Sequence, residues 1–334
     1  MVLTSSTQGP AASTPLREAR FVQIHQTDSA ALRLELLQGL GQRPATTSPK
    51  FLYDALGSRL FDAITELPEY YPTRTEAAIF NDHGMQMAQA IGTGSSLIDL
   101  GAGSCAKAAR LFASLRPARY VAVDISVDYL RDALRHLQRE HPLMDMTGIG
   151  LDFSQSLALP AEFTTGRPVF FYPGSSIGNF TPGEAREFLA RLRERCAGGG
   201  LLIGVDLVKP SAILEPAYDD ALGVTAAFNK NMLLYINRLI STDFAVQDWV
   251  HRAFFNAQQS RIEMHLQAVH DLTVRWPGGQ RAFVQGEGIH TENSYKYRVA
   301  DFDALLRQAG FGHTRVWQDA QGWFAVFWAQ AGTP

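Results

Sequence analysis

The stretch Leu97-Ile98-Asp99-Leu100-Gly101-Ala102-Gly103-Ser104, with Val121-Ala122-Val123-Asp124 after it, constrains this chain more than any other feature. An apolar run ending on two closely spaced glycines reads as a buried strand that turns sharply into a helix, because glycine takes left-handed backbone without steric cost. The helix expected from about Cys105 points its free N–H groups over that turn. A second apolar run closing on Asp124, 21 residues beyond Gly103, sets a carboxylate at a strand end, where it suits a ribose diol. Together these residues describe a pocket for an adenosine-containing cofactor.

Dinucleotide-binding folds share such a turn, so it does not by itself choose the cofactor. Three details favour S-adenosylmethionine. Asp99 lies inside the strand before the glycines, and Ala106 stands where the third glycine of G-x-G-x-x-G would pack helix against strand. The third detail is at the far end, where residues 301–311 read as a capped helix closing on glycine. Two apolar runs follow, 314–317 and 323–329, joined by the turn Gln318-Asp319-Ala320-Gln321-Gly322, a hairpin pattern. A helix plus a terminal hairpin resembles the closing element of class I methyltransferases. A nicotinamide oxidoreductase and a noncatalytic adenosine-binding module stand as the alternatives.

Composition narrows the partners. A net charge of −3 without any Lys/Arg cluster disfavours nucleic acid and anionic membrane. No apolar run is long enough to span a bilayer, and the Ser/Thr/Ala/Pro/Gly-rich start lacks the apolar heart of a signal peptide. Cys105 and Cys196 are too few for a disulfide framework, which fits a reducing cytoplasm. The histidines are scattered, His136 and His141 are badly phased for one helix face, and no metal site is expected.

With 46% hydrophobic content, 334 residues can bury one large core or two modest ones. The pattern divides into a mobile tail (1–20), N-terminal helices contributing to the substrate site (21–95), a methyltransferase core (96–207 and 299–331) and an inserted α+β substrate-binding domain (208–298). Helical spacing is expected over 28–39, 51–67 and 75–91. Strands at 96–100, 119–124, 146–151, 168–172 and 201–207 alternate with helices, which argues for a Rossmann-like α/β core with a parallel sheet covered on both faces. Thr181, Pro182 and Glu184 announce a capping box. In the insertion, one long helix is expected over about 216–240, followed by strands in which Ile262, Met264, Leu266 and Ala268 alternate.

At Leu67-Pro68-Glu69-Tyr70-Tyr71-Pro72-Thr73-Arg74-Thr75-Glu76 the chain resembles the L-histidine Nα-methyltransferases of ergothioneine biosynthesis. Further motifs carry the likeness from about Pro49 to Ala329: Phe51-Leu52-Tyr53-Asp54, Gly174-Ser175-Ser176-Ile177-Gly178-Asn179, Asp206-Leu207-Val208-Lys209, Ala217-Tyr218-Asp219-Asp220, Gly223-Val224-Thr225-Ala226 with Phe228-Asn229, Ile262-Glu263-Met264 and Thr291-Glu292-Asn293-Ser294. The resemblance implies transfer of three methyl groups from S-adenosylmethionine to the α-amine of histidine, through mono- and dimethylated intermediates, giving hercynine and S-adenosylhomocysteine. A synthase of another amino-acid betaine, such as that of tryptophan, is the alternative.

The resemblance places Tyr53, Tyr70, Asn179 and Tyr218 around the substrate amine and carboxylate, with Tyr53, Tyr70 and Asn179 as the catalytic set. Phenols and an amide can orient a zwitterion without adding a charge that would hold the amine protonated. It assigns Glu292 and Ser294 to the imidazole ring, with Met264 lining the same pocket. Strand alternation sends residues 292 and 294 to one face, and a carboxylate plus a hydroxyl can serve two ring nitrogens. For the cofactor it assigns Gly101, Gly103 and Lys107 to the methionine end, Asp124 to the ribose, and Asp152 and Phe153 to the adenine. Lys107 opposes the helix dipole in a first turn, a placement a cofactor carboxylate would relieve. Asn293, between the two ring residues, departs from the family pattern.

Overall fold

The computed structural model describes residues 16–24 and 29–332, so residues 1–15 of the expected tail lie outside the described residues. Strand β1 (Arg20–Gln23) begins at the end of that expected tail, and β2 (Ala45–Thr46) follows the helix Ser29–Gly41. The core strands are β3 (Ser96–Leu100), β4 (Arg119–Asp124), β5 (Asp145–Gly150), β6 (Pro168–Tyr172) and β7 (Gly200–Asp206). The insertion carries β8 (Trp249–Asn256), β9 (Arg261–Ala268), β10 (Leu272–Trp276), β11 (Gly279–Phe283) and β12 (Gly288–Tyr295), and β13 (Phe311–Gln318) and β14 (Phe324–Ala331) end the chain.

Eight strands form one sheet in the order β1-β5-β4-β3-β6-β7-β14-β13. Pairing is parallel from β1 through β7, while β14 runs antiparallel to both β7 and β13. This is an open, doubly wound α/β sheet closed at one edge by an antiparallel hairpin. Strand order reverses at β3, which has β4 on one side and β6 on the other, and a crevice opens beyond the strand ends at such a switch point. Alternation covers both faces. Ile98, Leu100, Val121 and Val123 pack with Phe188 and Phe302 on one side, and Leu97, Tyr120, Ala122 and Phe171 pack with Ile79 and Leu111 on the other.

β1 corrects the expected tail boundary. It pairs with β5 from Arg20 opposite Thr147 to Gln23 opposite Gly150, and Arg17 and Arg20 lie 3.6 and 3.9 Å from the Asp145 carboxylate. The Phe21 ring occupies the space that a side chain at position 148 would fill, with a ring carbon 2.4 Å from an ideal Cβ there. A four-residue strand is held by a partner more than a hundred residues away, and composition cannot show that.

The expected N-terminal unit is also divided. Helix Tyr71–Ile91 packs on the core sheet through Ile79, Phe80, Met87 and Ile91. Leu36, Phe51 and Ile64 instead share a core with Met232, Ile236, Trp249 and Leu266 of the insertion. β2 joins the insertion's sheet, whose order is β2-β12-β9-β8, by parallel pairing with β12. Residues 29–67 and the insertion thus form one layer over the strand ends. Among the described residues no helix is long and apolar enough to cross a membrane.

Two helices expected to run unbroken are interrupted, each at a tyrosine. The segment 51–67 divides into the 3₁₀ turn Pro49–Leu52 and the helix Ala55–Thr65, because the Asp54 side chain accepts from Gly57 N–H (2.8 Å) and starts a new helix. The segment 216–240 divides into a turn at Glu215–Ala217 and the helix Val224–Ile240. There Asp220 accepts from Val224 and Thr225 N–H (3.0 and 2.7 Å), and Gly223 takes a φ of 75°. Helix Tyr71–Ile91 starts earlier than expected, since Pro72 sits in its first turn, where no N–H is needed. Tyr53, Tyr70 and Tyr218 are thereby all helix-boundary residues.

Candidate active site

The side expected to hold the cofactor is built on the turn after β3. Gly101 and Gly103 have φ of 71° and 51°, the left-handed conformations expected of them, and Gly101 N–H donates to the Val123 carbonyl (2.9 Å). Asp124 is held by its backbone surroundings: Oδ2 accepts from Gly103 N–H (2.9 Å) and Oδ1 from Ser126 N–H (2.8 Å). Burial raises its pKa, and these donors oppose the shift. Asp152 Oδ1 accepts from Ser154 N–H (3.2 Å). The Phe153 ring lies 3.6 Å from an ideal Cβ at Gly101, and its edge meets Tyr172. Gly101, Gly103, Asp124, Asp152 and Phe153 all line one cavity of ≈ 620 Å³. These five residues fit an adenosine: an apolar ring wall, two carboxylates and glycine backbone that leaves room for close approach.

Lys107 has a different setting from the one expected. It does not line that cavity; its Nζ pairs at 2.8 Å with Oε2 of Glu76, which is 1% exposed. Glu76 Oε1 accepts from Gly174 N–H (2.8 Å), and an ideal Cβ at Gly174 would lie 2.7 Å from Lys107 Nζ. The charge that the helix dipole disfavours is answered within the chain. Nothing local in the sequence marks Glu76 as the partner of Lys107, 31 residues on.

A second, narrow cavity of ≈ 50 Å³ is lined by Tyr53, Tyr70, Asn179, Tyr218, Met264, Glu292 and Ser294, every residue expected on the substrate side. Tyr53, Phe61, Ser176 and Asn179 line both cavities, so the two adjoin. The Tyr53 carbonyl accepts from Ser126 Oγ (2.7 Å), which ties this tyrosine to the turn held by Asp124. Its ring is wedged edge-on against Phe61 and Phe228. Burial pushes the phenols of Tyr53, Tyr70 and Tyr218 well above their ordinary range; for Tyr53 the Glu292 carboxylate adds to the effect. They stay neutral, able to orient a substrate but not to act as fixed bases.

Asn179 reaches the site from the loop after β6. Gly174 and Ser175, with φ of 77° and 60°, turn the chain into the 3₁₀ segment Ser176–Asn179. At Gly178 an added Cβ would meet the Tyr295 carbonyl oxygen at 2.9 Å, so the missing side chain lets this loop lie against β12. Asn179 Nδ2 then donates to Glu292 Oε1 (3.2 Å).

On β12 the register shifts between His290 and Glu292, leaving Glu292 opposite Met264 and Ser294 opposite Ile262. Glu292 and Ser294 thus share the cavity-facing side, as alternation predicts. Burial raises the Glu292 pKa to about 7, opposed by the Lys296 charge and the Asn179 hydrogen bond. Beneath the cavity lies a charged cluster that sequence reading missed. Lys296 Nζ contacts Asp206 Oδ2 (2.7 Å), and Asp206 Oδ1 pairs with Lys209 (2.5 Å). Asp206 and Lys209 are neighbours in the chain but Lys296 is not, and burial of three charges together has no local signature.

The fold also collects Glu263, His265 and His290, which are far apart in sequence in part, to within 4.8 Å of one another. The His265 and His290 rings stack at 4.6 Å and 15°, and the Glu263 carboxylate is shared between Arg261 (2.7 Å) and His265 Nε2 (3.0 Å).

Residues 32–331 match the family described as histidine-specific methyltransferase, SAM-dependent. The chain is 39% identical over 308 residues to the histidine N-alpha-methyltransferase of Mycolicibacterium smegmatis, covering 90% of this chain and 95% of that one. A protein of the same name from Mycobacterium tuberculosis is 39% identical over 311 residues, covering 89% and 94%. An N-methyltransferase of Aspergillus flavus is 26% identical over 322 residues, covering 91% and 89%.

Proposed function

The chain belongs to the family of histidine-specific, SAM-dependent methyltransferases, and from that premise we propose that it methylates the α-amine of L-histidine up to the trimethylated betaine, hercynine. The observation that carries this reading is the pair of adjoining cavities. One presents Gly101, Gly103, Asp124, Asp152 and Phe153, the other Glu292 and Ser294, and Tyr53 and Asn179 stand at the boundary.

Bound S-adenosylmethionine supplies an electrophilic methyl group. The residues of this chain bind it and aim the amine at it. Asp124, kept in place by two backbone donors, accepts from the ribose diol, and Asp152 and Phe153 bind and cover the adenine. Lys107, paired with Glu76 and outside the lining of the cavity, is left without a contact to the cofactor. Glu292 and Ser294 hold the imidazole beside Met264, Tyr218 hydrogen-bonds Ser294, and Asn179 takes the carboxylate with the Nδ2 hydrogen that Glu292 does not use. Tyr53 and Tyr70 orient the amine. Because their phenols stay neutral, they leave the amine free to be the nucleophile, and its proton departs through solvent. Rate then comes from orientation and from excluding bulk water.

This anchoring explains repeated transfer. Each methyl group removes one N–H, so a site that held the amine only by its hydrogens would stall; here ring and carboxylate keep the substrate in place. Complete reaction with excess S-adenosylmethionine should yield histidine plus three methyl groups by mass spectrometry, with tryptophan unconverted. A monomethyl or dimethyl end product, ring methylation, or turnover of tryptophan in preference to histidine would each overturn the reading.

A further inference from the structure

Lys296 follows directly on β12 and its side chain is 0% exposed. Its ammonium has three hydrogens and three acceptors around it: Asp206 Oδ2 at 2.7 Å, Tyr218 Oη at 2.8 Å and Ser294 Oγ at 2.9 Å. The Tyr218 and Ser294 hydroxyls are themselves 2.8 Å apart. Lysine has no lone pair to offer, so both hydroxyls accept from it. Of their two hydrogens, one closes the bond between them. The other is left for the cavity that both residues line.

We infer that Lys296 is a specificity-determining positioning residue: it makes the Tyr218–Ser294 pair a hydrogen donor toward the substrate ring. This rests on the proposed function, in which the imidazole lies between Glu292 and Ser294. The ring site then has one acceptor, the Glu292 carboxylate, and one donor, the hydroxyl pair. That combination matches neutral imidazole, which carries one N–H and one bare nitrogen. A ring with a C–H in place of the bare nitrogen leaves the donor unpaired beside a buried ammonium. The site discriminates against a ring that lacks the required polar atom because its own polar group is then left unpaired.

The test is calorimetric titration in the presence of S-adenosylhomocysteine, with three ligands: histidine, its pyrrole analogue lacking the bare nitrogen, and its thiazole analogue lacking the N–H. Wild type should bind histidine at least roughly tenfold more tightly than the pyrrole analogue, the scale of leaving one buried donor unpaired. Lys296→Met should shrink that ratio by roughly tenfold while leaving the histidine-to-thiazole ratio, which reports on Glu292, unchanged. Lys296→Gln, whose amide can still donate, should restore part of it. A wild-type histidine-to-pyrrole ratio near one overturns the inference without any variant needing to fold. An equal loss for all three ligands in a folded Lys296→Met also overturns it, because a merely structural lysine would act that way. Failure of wild type to bind histidine at all would instead overturn the proposed function.

Discussion

Asn179 and Glu292, 113 residues apart, meet at 3.2 Å between Nδ2 and Oε1, and this one hydrogen bond joins the loop after β6 of the core to β12 of the insertion. Glu292→Ala should weaken histidine binding by roughly 1.5–3 kcal/mol, the range for a hydrogen bond to a charged group. Affinity for S-adenosylhomocysteine should stay as it is, since Glu292 does not line the cavity proposed for the cofactor. Calorimetric titration of both ligands checks this, and an unchanged histidine affinity would remove Glu292 from the ring site.

Glu292 also makes the unliganded protein sensitive to pH. Burial raises its pKa from 4.5 to about 7, so between those values the folded state binds more protons than the unfolded state. The stability contributed by the protonated form is fully present below pH 4.5 and is lost as pH rises through about 7. Glu292→Gln removes this titration. Denaturant melts of the variant should show a gain over wild type that is small at pH 4.5, grows to pH 7 and levels off above. A difference that does not vary with pH would mean that the carboxyl titrates normally.

Asp124 offers a second handle, because it faces the proposed ribose site while holding the N–H groups of Gly103 and Ser126. Asp124→Ala should weaken S-adenosylhomocysteine binding by at least ~1.5 kcal/mol, with both ribose hydroxyls losing a shared ionised acceptor. The circular dichroism spectrum should be retained. Equal affinity for wild type and variant would show that the acid serves only the turn.

Gly178 tests the loop that carries Asn179. A methyl group there would sit 2.9 Å from the Tyr295 carbonyl oxygen and 3.1 Å from its nitrogen, both backbone atoms that cannot swing away. Gly178→Ala should cost about 1–3 kcal/mol of stability, as overpacking does, and lower histidine affinity by moving Asn179 off Glu292. Thermal melting and titration check the two effects, and a variant with wild-type values for both would mean that the loop yields without consequence.

Much of the core was legible because its signals are local. Two glycines after an apolar run, an acid closing the next run, and the capping box of Thr181 and Glu184 are each decided within a few residues. Alternation on β12 correctly placed Glu292 and Ser294 on one side for the same reason. The breaks at Tyr53 and Tyr218 had local signals too, in Asp54 and in Asp220 with Gly223, but helical spacing of apolar residues continues across both and hides them.

What the sequence determined by itself was the alternation of strands and helices in the core, the two glycines of the turn after β3 and the acid that closes β4. Tertiary structure alone decided which charges meet. Lys107 with Glu76, Lys296 with Asp206, and β1 with β5 are pairings between segments that carry no mark of one another in the chain. A buried ion is stable only beside its partner, and a short strand only beside a neighbour. Such partners are set by the packing of whole elements, so they are absent from any window of sequence.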